Sequence, residues 1–300
     1  MFSNLSVFAL SAPMPKADDV NHQLAAGALE PCGRLEPSSA GWVSPLGVDA
    51  EQLTHGIGEH LLIRYAIEEK VLPAAVIKEA LEDRVAKAAE QTGHPTGRRE
   101  RLRMKDEVMM DLLPRAFVKP RRVDAWLDLG KGWLGVDSTS KKTVDDLVTL
   151  LRMNLTGLAV AAPDVKTRAC QMLTRWLKDG NPPTGFTLGD ECDLRDERDA
   201  ASTIRCRRQD LDRSDIRRHL DQGMQAFRLG LVWQERLSFS LSEDLTLSRV
   251  KPLDLVQSQL SDVRADNPAE ELDARFAVMS LEYRALVEDL SALFAWPERA

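Results

Sequence analysis

A run of five chain-breaking residues, DGNPP at 179–183, constrains the fold more than any other feature of the sequence. Gly, Asn and Pro are unfavourable inside helices and strands, so the run ends the helix predicted at about 164–178. Beyond it, short β-rich stretches are separated by turn residues, which is typical of an antiparallel sheet. These strands are predicted at 186–196, 202–211, 227–242 and 245–255, with one helix at about 214–222 between them. We therefore predict a mixed α+β fold in two parts, residues 1–180 and 181–300.

The N-terminal part mixes strands with amphipathic helices. Apolar residues at steps of three and four predict a helix from Ala74 to about Ala89, and GHPTG at 93–97 separates it from a second helix at about 98–111. We expect the segment at about 74–118 to form a helical, gate-like part of the N-terminal region. Strands are predicted at 2–10, 61–72 and on both sides of Gly130–Gly132, and helices at 18–27, 141–153 and 268–294. Between 31 and 47 the density of Pro and Gly predicts loops and short strands.

Charge is distributed unevenly along a chain whose formal net charge is -7. Residues 98–122 hold nine Lys or Arg against four acids, and residues 204–219 hold six Arg against three Asp. In contrast, residues 251–300 hold five Lys or Arg against ten acids. A solvated face explains either basic block alone, but two basic blocks segregated from an acidic end favour a surface that binds a polyanion.

The stretch VMMDLLPRAFVKPRRVDAW, 108–126, places four cations around one phenylalanine, Phe117. The cations are Arg115, Lys119, Arg121 and Arg122. Either this is a solvated sheet edge, or it is a polyanion-binding surface beside a docking contact. The arginines that open the preceding helix favour the second interpretation, because cations at a helix N-terminus oppose the helix dipole and do not stabilise the helix.

Several classes of protein are not favoured by the sequence. The four cysteines form no C-x-x-C pair, so neither a zinc site nor a disulfide framework is predicted, and a reducing cytoplasm is expected. The first ten residues, MFSNLSVFAL, lack the basic lead and cleavage site of a signal peptide, and no membrane partner is expected. The five histidines show no metal-binding or triad spacing. We expect no metal, no cofactor and no catalytic residues.

Three patterns in the sequence are compatible with an enzyme. GKGWLG at 130–135 lacks the lysine–serine or lysine–threonine end of a phosphate-binding loop, and Ser138-x-x-Lys141 is better explained by a serine that caps a helix. The stronger alternative is a metal-dependent nuclease, in which Asp49 and Glu68 hold Mg²⁺ and Lys70 steadies the phosphate. Against it, Gly56 and Gly58 are expected to break the strand after Asp49.

Longer motifs resemble one family. They are EPCG (30–33), GWVSPLG (41–47), LTH (53–55), EEKVLPAAVIKEALE (68–82), KDEVMMDLLPRAF (105–117), LLRMNL (150–155), IRCRRQDL (204–211) and LVWQERLSF (231–239). In this order and over essentially the whole chain, they are similar to the RdgC family of bacterial recombination-associated proteins. The sequence departs from the family pattern mainly at 93–104.

The resemblance implies an elongated, curved subunit that pairs into a closed ring dimer with a basic hole for duplex DNA. It implies binding to double-stranded DNA without sequence preference, a nucleoid location, and restraint of the recombinase RecA, with single-stranded DNA as a secondary partner. Phe117 is then expected at the dimer interface, although burial in its own core is the alternative. The expected DNA-binding residues are Arg98, Arg99, Arg101, Arg103, Arg115, Lys119, Arg121, Arg122, Arg207, Arg208 and Gln209. A scaffold that contacts only protein remains a third possibility.

Overall fold

The computed structural model describes residues 2–11, 15–47, 50–163, 165–199, 201–211, 214–262, 265 and 267–296. The strands are β1 (Asn4–Ser11), β2 (Ser38–Val43), β3 (Thr54–Ile57), β4 (His60–Val71), β5 (Phe117–Asp128), β6 (Trp133–Val136), β7 (Ala159–Ala161), β8 (Phe186–Asp196), β9 (Thr203–Arg207), β10 (Met224–Trp233), β11 (Leu237–Ser242) and β12 (Leu247–Pro252). The helices are α1 (Ala17–Leu24), α2 (Ala74–Thr92), α3 (Arg98–Leu112), α4 (Lys141–Asn154), α5 (Lys166–Asp179), α6 (Ser214–Asp221), α7 (Asp254–Ser261) and α8 (Pro268–Phe294).

The strands form an antiparallel sheet with flanking helices, which confirms the predicted mixed α+β class. Their order is β2-β4-β5-β6-β1-β12-β11-β10-β8-β9, with β3 beside β4 and β7 beside β1. The breaker run acts as predicted: α5 ends at Asp179, and Gly180 takes a left-handed backbone with φ 63°. Ser140 caps α4 by accepting a hydrogen bond from the backbone N–H of Thr143.

The chain folds into two compact units. The first contains residues 1–26, 44–64 and 123–300, and its core buries large aromatic side chains, among them Trp126, Trp233, Tyr283 and Phe294. In the same unit the buried carboxylate of Asp128 accepts hydrogen bonds from Arg284 at 2.5 and 2.6 Å. These two bonds compensate a charge that would otherwise be costly to bury.

The second unit contains residues 27–43 and 65–122, and so includes the predicted helical segment 74–118. Trp42 and Tyr65 are buried and lie edge to face, with ring centroids 5.9 Å apart. α2 and α3 pack against each other through their few buried residues, Leu81, Met104 and Val108. The division predicted at residue 180 stays a prediction.

One local expectation is wrong, and three short elements were not predicted. The chain after residue 49 is not broken at Gly56, which lies inside β3. Gly58, with φ +59°, starts a two-residue turn, and β3 and β4 form a hairpin in which Ile57 faces His60. β3, β7 and α7 were not predicted. Within the described ranges, no helix is long and apolar enough to cross a bilayer.

Candidate nucleic-acid interface

The first candidate surface lies in the second unit and is formed by α3 and the start of β5. We call it the α3–β5 surface and define it by the predicted cations from residue 98 to residue 122. α3 begins at Arg98 after Gly97, which offers no side-chain cap. Because Met104 and Val108 supply its buried side, Arg98, Arg99, Arg101 and Arg103 are left exposed to solvent.

The start of β5 is exposed in a way that is unusual for a strand. Residues 117–122 are all exposed, whereas the strand is almost entirely buried from Val123 to Asp128. Arg115, in the turn before the strand, is exposed as well. A solvated half strand that carries Lys119, Arg121 and Arg122 therefore presents three cations beside the helix.

Most of these cations have no anionic partner in the part of the chain that the structure describes. Among the described residues, the side chains of Arg98, Arg99, Arg101, Arg115, Lys119 and Arg122 make no hydrogen bond or ion pair. Arg103 lies 3.2 Å from Glu107, and Arg84 of α2 contacts Glu107 and Asp111. Two of the four acids in the basic block, Glu107 and Asp111, are thus already paired, and Arg103 is the cation of the block that is used in this way.

Phe117 projects into solvent from the middle of this surface. It is 86% exposed, and Val118 beside it is also exposed. Large exposed aromatic side chains are uncommon and mark contacts with other molecules. The alternative in which Phe117 belongs to its own core does not match this exposure. In the same unit, Leu81, Leu102 and the cations Arg98, Arg99, Arg101 and Lys105 line a depression of about 540 Å³.

The second candidate surface lies in the first unit, at β9, the strand at one end of the sheet order. Arg208 follows the strand with φ 51°, a left-handed conformation that is rare for residues other than glycine. Its side chain is exposed and makes no hydrogen bond or ion pair within the described residues. Gln209 is exposed too, and its backbone N–H donates to Asp190 at 3.0 Å.

Arg207 behaves differently from Arg208. Its Nη1 donates to Asp193 at 2.5 Å, and its Nε lies 3.5 Å from Glu191. Asp193 is buried and also accepts from Arg228 at 3.2 Å. The hydrogen bond to Asp193 raises the pKa of Arg207 above its ordinary value. Arg207 is therefore first a partner of a buried carboxylate, and only about a third of its side chain is exposed.

Sequence reasoning missed two cations beside β9. Arg249 and Lys251 of β12 line a groove of about 860 Å³ together with Arg207 and Arg208, and Arg249 also forms an ion pair with Glu191. Gly230 also lines the groove, and a Cβ there would lie 2.8 Å from Cγ of Glu191, so a larger residue at this position would be crowded. The i and i+2 spacing of Arg249 and Lys251 on one strand, which places both on the same face, was the available signal.

The nuclease residues have structural partners. Glu68 accepts a hydrogen bond from the backbone N–H of Cys32 at 2.9 Å, and the Lys70 ammonium donates to the carbonyl oxygens of Gly33 and Arg34 at 2.6 and 2.5 Å. Both side chains thus hold the loop at 32–34. Asp49 lies outside the described residues, as does Arg213 of the second basic block. Within the described part, no three His, Cys, Asp or Glu residues are grouped to hold a metal ion.

Comparison with known proteins identifies the family. The protein-family model described as "Putative exonuclease, RdgC" matches residues 1–296. The chain belongs to the RdgC family. Proteins named "Recombination-associated protein RdgC" are 35% identical over 294 residues in Psychromonas ingrahamii and 37% identical over 295 residues in Aeromonas hydrophila. These alignments cover 98% of this chain in both cases, and 97% and 96% of the two relatives. The resemblance inferred from the motifs is confirmed.

Proposed function

We propose that this member of the RdgC family binds double-stranded DNA without sequence preference, as a ring-shaped homodimer that surrounds the duplex. The observation that carries the proposal is a group of six exposed cations on the α3–β5 surface that have no partner among the described residues, in a chain whose net charge is -7. Cations left unpaired on an acidic protein favour a polyanionic partner, because each phosphate that they neutralise releases a condensed counterion.

The chemistry of both surfaces favours the phosphate backbone over base edges. Arginine and lysine contact phosphate in any sequence, and Gln209 can donate to phosphate or sugar. Reading a base would require side chains placed in a groove, for example a glutamine bonded to adenine. Since the cations are spread over the first turns of one helix, a solvated half strand and a strand end, we expect contacts that follow the backbone. Single-stranded DNA offers the same phosphates at lower charge density and is expected to bind more weakly.

Phe117 supports the dimer part of the proposal. An aromatic side chain that is 86% exposed and surrounded by cations is suited to bury itself in a second copy of the chain, where it anchors the contact. Its position between Arg115 and Lys119 then places the junction of the subunits beside the DNA-binding cations. Closure of the ring and DNA binding would depend on neighbouring residues of the same surface.

The role in recombination follows from occupancy of DNA. The relatives are named recombination-associated proteins, and a nucleoid protein that covers duplex DNA limits the access of RecA or the growth of its filament. The proposed role is non-enzymatic. Glu68 and Lys70, the described members of the nuclease alternative, are engaged by the loop at 32–34 and do not point to phosphate chemistry.

The decisive experiment is DNA binding by the purified protein with no other protein present. Mobility shifts with unrelated duplexes of equal length are expected to give the same affinity, and light scattering is expected to give the mass of a dimer. A difference between duplexes larger than about tenfold, equivalent to one good base contact of ~1–3 kcal/mol, would contradict the absence of sequence preference. No shift at low salt would leave the protein-only scaffold as the better explanation.

A separate experiment tests the enzymatic alternative. The protein is incubated with linear duplex DNA and Mg²⁺ or Mn²⁺, and the products are resolved by length. We expect intact DNA. Shortening of the DNA that disappears in Glu68→Ala, with binding retained, would establish a nuclease and overturn the non-enzymatic proposal.

A further inference from the structure

Two free thiols lie opposite each other across neighbouring strands in the first unit. β8 and β9 are antiparallel, and Cys192 of β8 faces Cys206 of β9 in the register of the pair. Residues directly opposite in an antiparallel pair project from the same face and touch. Cys192 is fully buried, whereas Cys206 is partly exposed on the outermost strand of this end of the sheet.

The backbone geometry of this pair suits a covalent link. The N–H of Asp196 donates to the carbonyl of Ser202, and the register continues without a shift from Arg195–Thr203 to Glu191–Arg207. Hydrogen-bonded pairs alternate along such a ladder, so Cys192 and Cys206 form one, with Cα atoms about 5.5 Å apart. Disulfides span Cα separations of about 4.4–6.8 Å, so the strands need not separate or slide to form one.

We propose that Cys192 and Cys206 are a site of reversible oxidation, forming a disulfide across the strands when the protein meets a low-molecular-weight disulfide such as oxidised glutathione. The Cys206 thiolate attacks one sulfur of the reagent, so that a mixed disulfide forms and the first glutathione leaves as a thiolate. Cys192 then attacks Sγ of Cys206, and its proton passes to the second departing glutathione thiolate. In total, two protein thiols are oxidised to one disulfide and one reagent disulfide is reduced to two thiols.

The order of attack follows from accessibility. Cys206 can be reached from solvent, whereas burial, with the Cys206 thiol beside it, raises the pKa of Cys192 and keeps it protonated. Cys192 is therefore a poor first nucleophile. It still resolves the mixed disulfide, because the fixed register holds its sulfur next to Cys206 at a high effective concentration.

The link is expected to be labile. Cys206 is partly exposed, and disulfides that solvent can reach are the more easily reduced ones. The site also lies behind the proposed DNA contacts, since Nη1 of Arg207 donates to the carbonyl oxygens of Cys206 and Cys192 at 2.8 and 3.4 Å. Neither of the other cysteines lies opposite a second thiol in the described strand register. Cys170 hydrogen-bonds to Gln225, and Cys32 belongs to the other unit.

The test uses the folded protein, equilibrated with mixtures of reduced and oxidised glutathione. The exchange is then quenched with acid, the remaining free thiols are alkylated, and the peptides are mapped by mass spectrometry. We expect a peptide that links Cys192 to Cys206, a fall from four free thiols to two, and full recovery after dithiothreitol. Far-ultraviolet circular dichroism should be unchanged by oxidation. The linked peptide should persist in Cys170→Ser and disappear in Cys206→Ser.

A second variant keeps the test independent of any folding defect in Cys206→Ser. In the double variant Cys32→Ser/Cys170→Ser the pair alone remains, and its free thiols should fall from two to none under the same conditions. The proposal is overturned if Cys206 keeps a stable glutathione or if both thiols stay unmodified. It is also overturned if the disulfide joins either cysteine to Cys32 or Cys170, or if it forms only after denaturant is added.

Discussion

The contrast between Arg207 and Arg208 gives the sharpest prediction, because one of these adjacent arginines is expected to bind DNA and the other to stabilise the fold. Arg208 is exposed and unpartnered within the described residues, whereas Arg207 compensates the buried carboxylate of Asp193. Arg208→Ala should weaken DNA binding without changing stability. Arg207→Ala should lower stability first, and its effect on DNA should be smaller than the sequence indicated.

The magnitudes follow from these contacts. If Arg208 neutralises one phosphate, its removal should reduce the slope of log affinity against log salt by about 0.9, so that the wild type loses about 3.5-fold more affinity than the variant between ~50 and ~200 mM salt. Its free energy of unfolding should stay within about 0.5 kcal/mol of the wild type. Arg207→Ala leaves Asp193 with Arg228 as its remaining arginine, and loss of one partner from a buried acceptor costs about 1–3 kcal/mol.

Two assays separate these effects. Fluorescence anisotropy with a short labelled duplex at several salt concentrations gives the slope, and urea unfolding followed by tryptophan fluorescence gives the stability. Arg208→Lys is the matched control, since it keeps the charge and should keep the slope. The reasoning is refuted if Arg208→Ala leaves the slope unchanged, or if Arg207→Ala unfolds at the same urea concentration as the wild type.

Three further perturbations test other parts of the molecule. Phe117→Ala should reduce retention on circular DNA more than on short linear duplex, measured by filter binding; equal losses would argue against its role in closure. Arg284→Leu should lower the free energy of unfolding by about 3–5 kcal/mol, measured in urea, because it strands the buried carboxylate of Asp128. Burial lowers the pKa of His60 below 6.5, so the unfolded chain binds more protons there. The free energy of unfolding should therefore fall as the pH drops below about 6.5, because the unfolded chain takes up a proton on His60 that the folded protein does not. In His60→Gln, measured by urea unfolding at the same pH values, this fall should be smaller.

Sequence periodicity was sufficient to locate most elements but not the short ones. The long helices α2, α3 and α8 have repeated apolar positions, and the start of β8 follows directly after the turn residues at 181–185. α7 has eight residues and one fully buried side chain, Val256, so it offers no repeat from which a helix can be recognised. Its start follows from the packing of residues distant in sequence, which a local pattern does not contain.

The site was predictable in its cations but not in their pairing. The positions of Arg207 and Arg208 follow from the sequence, but it does not tell that Arg208 is exposed while Arg207 is partly buried. That Glu191 lies opposite Arg207, with Asp193 within hydrogen-bond distance of the same guanidinium, depends on the register of β8 against β9, which no single stretch encodes. The contribution of Arg249 and Lys251 likewise depends on β12 lying across β11 from β10, a long-range arrangement.

The placement of Arg205 and Arg207 on an outermost strand, with Arg208 directly after it, has a second consequence, for solubility. The free side of such a strand can recruit a strand from another molecule, and charged side chains are a common means of preventing this edge-to-edge aggregation. Arg207 and Arg208, which are expected to meet phosphate, would then act with Arg205 to keep β9 from pairing indiscriminately. Variants that neutralise several of them at once are expected to precipitate at concentrations where single variants stay dispersed.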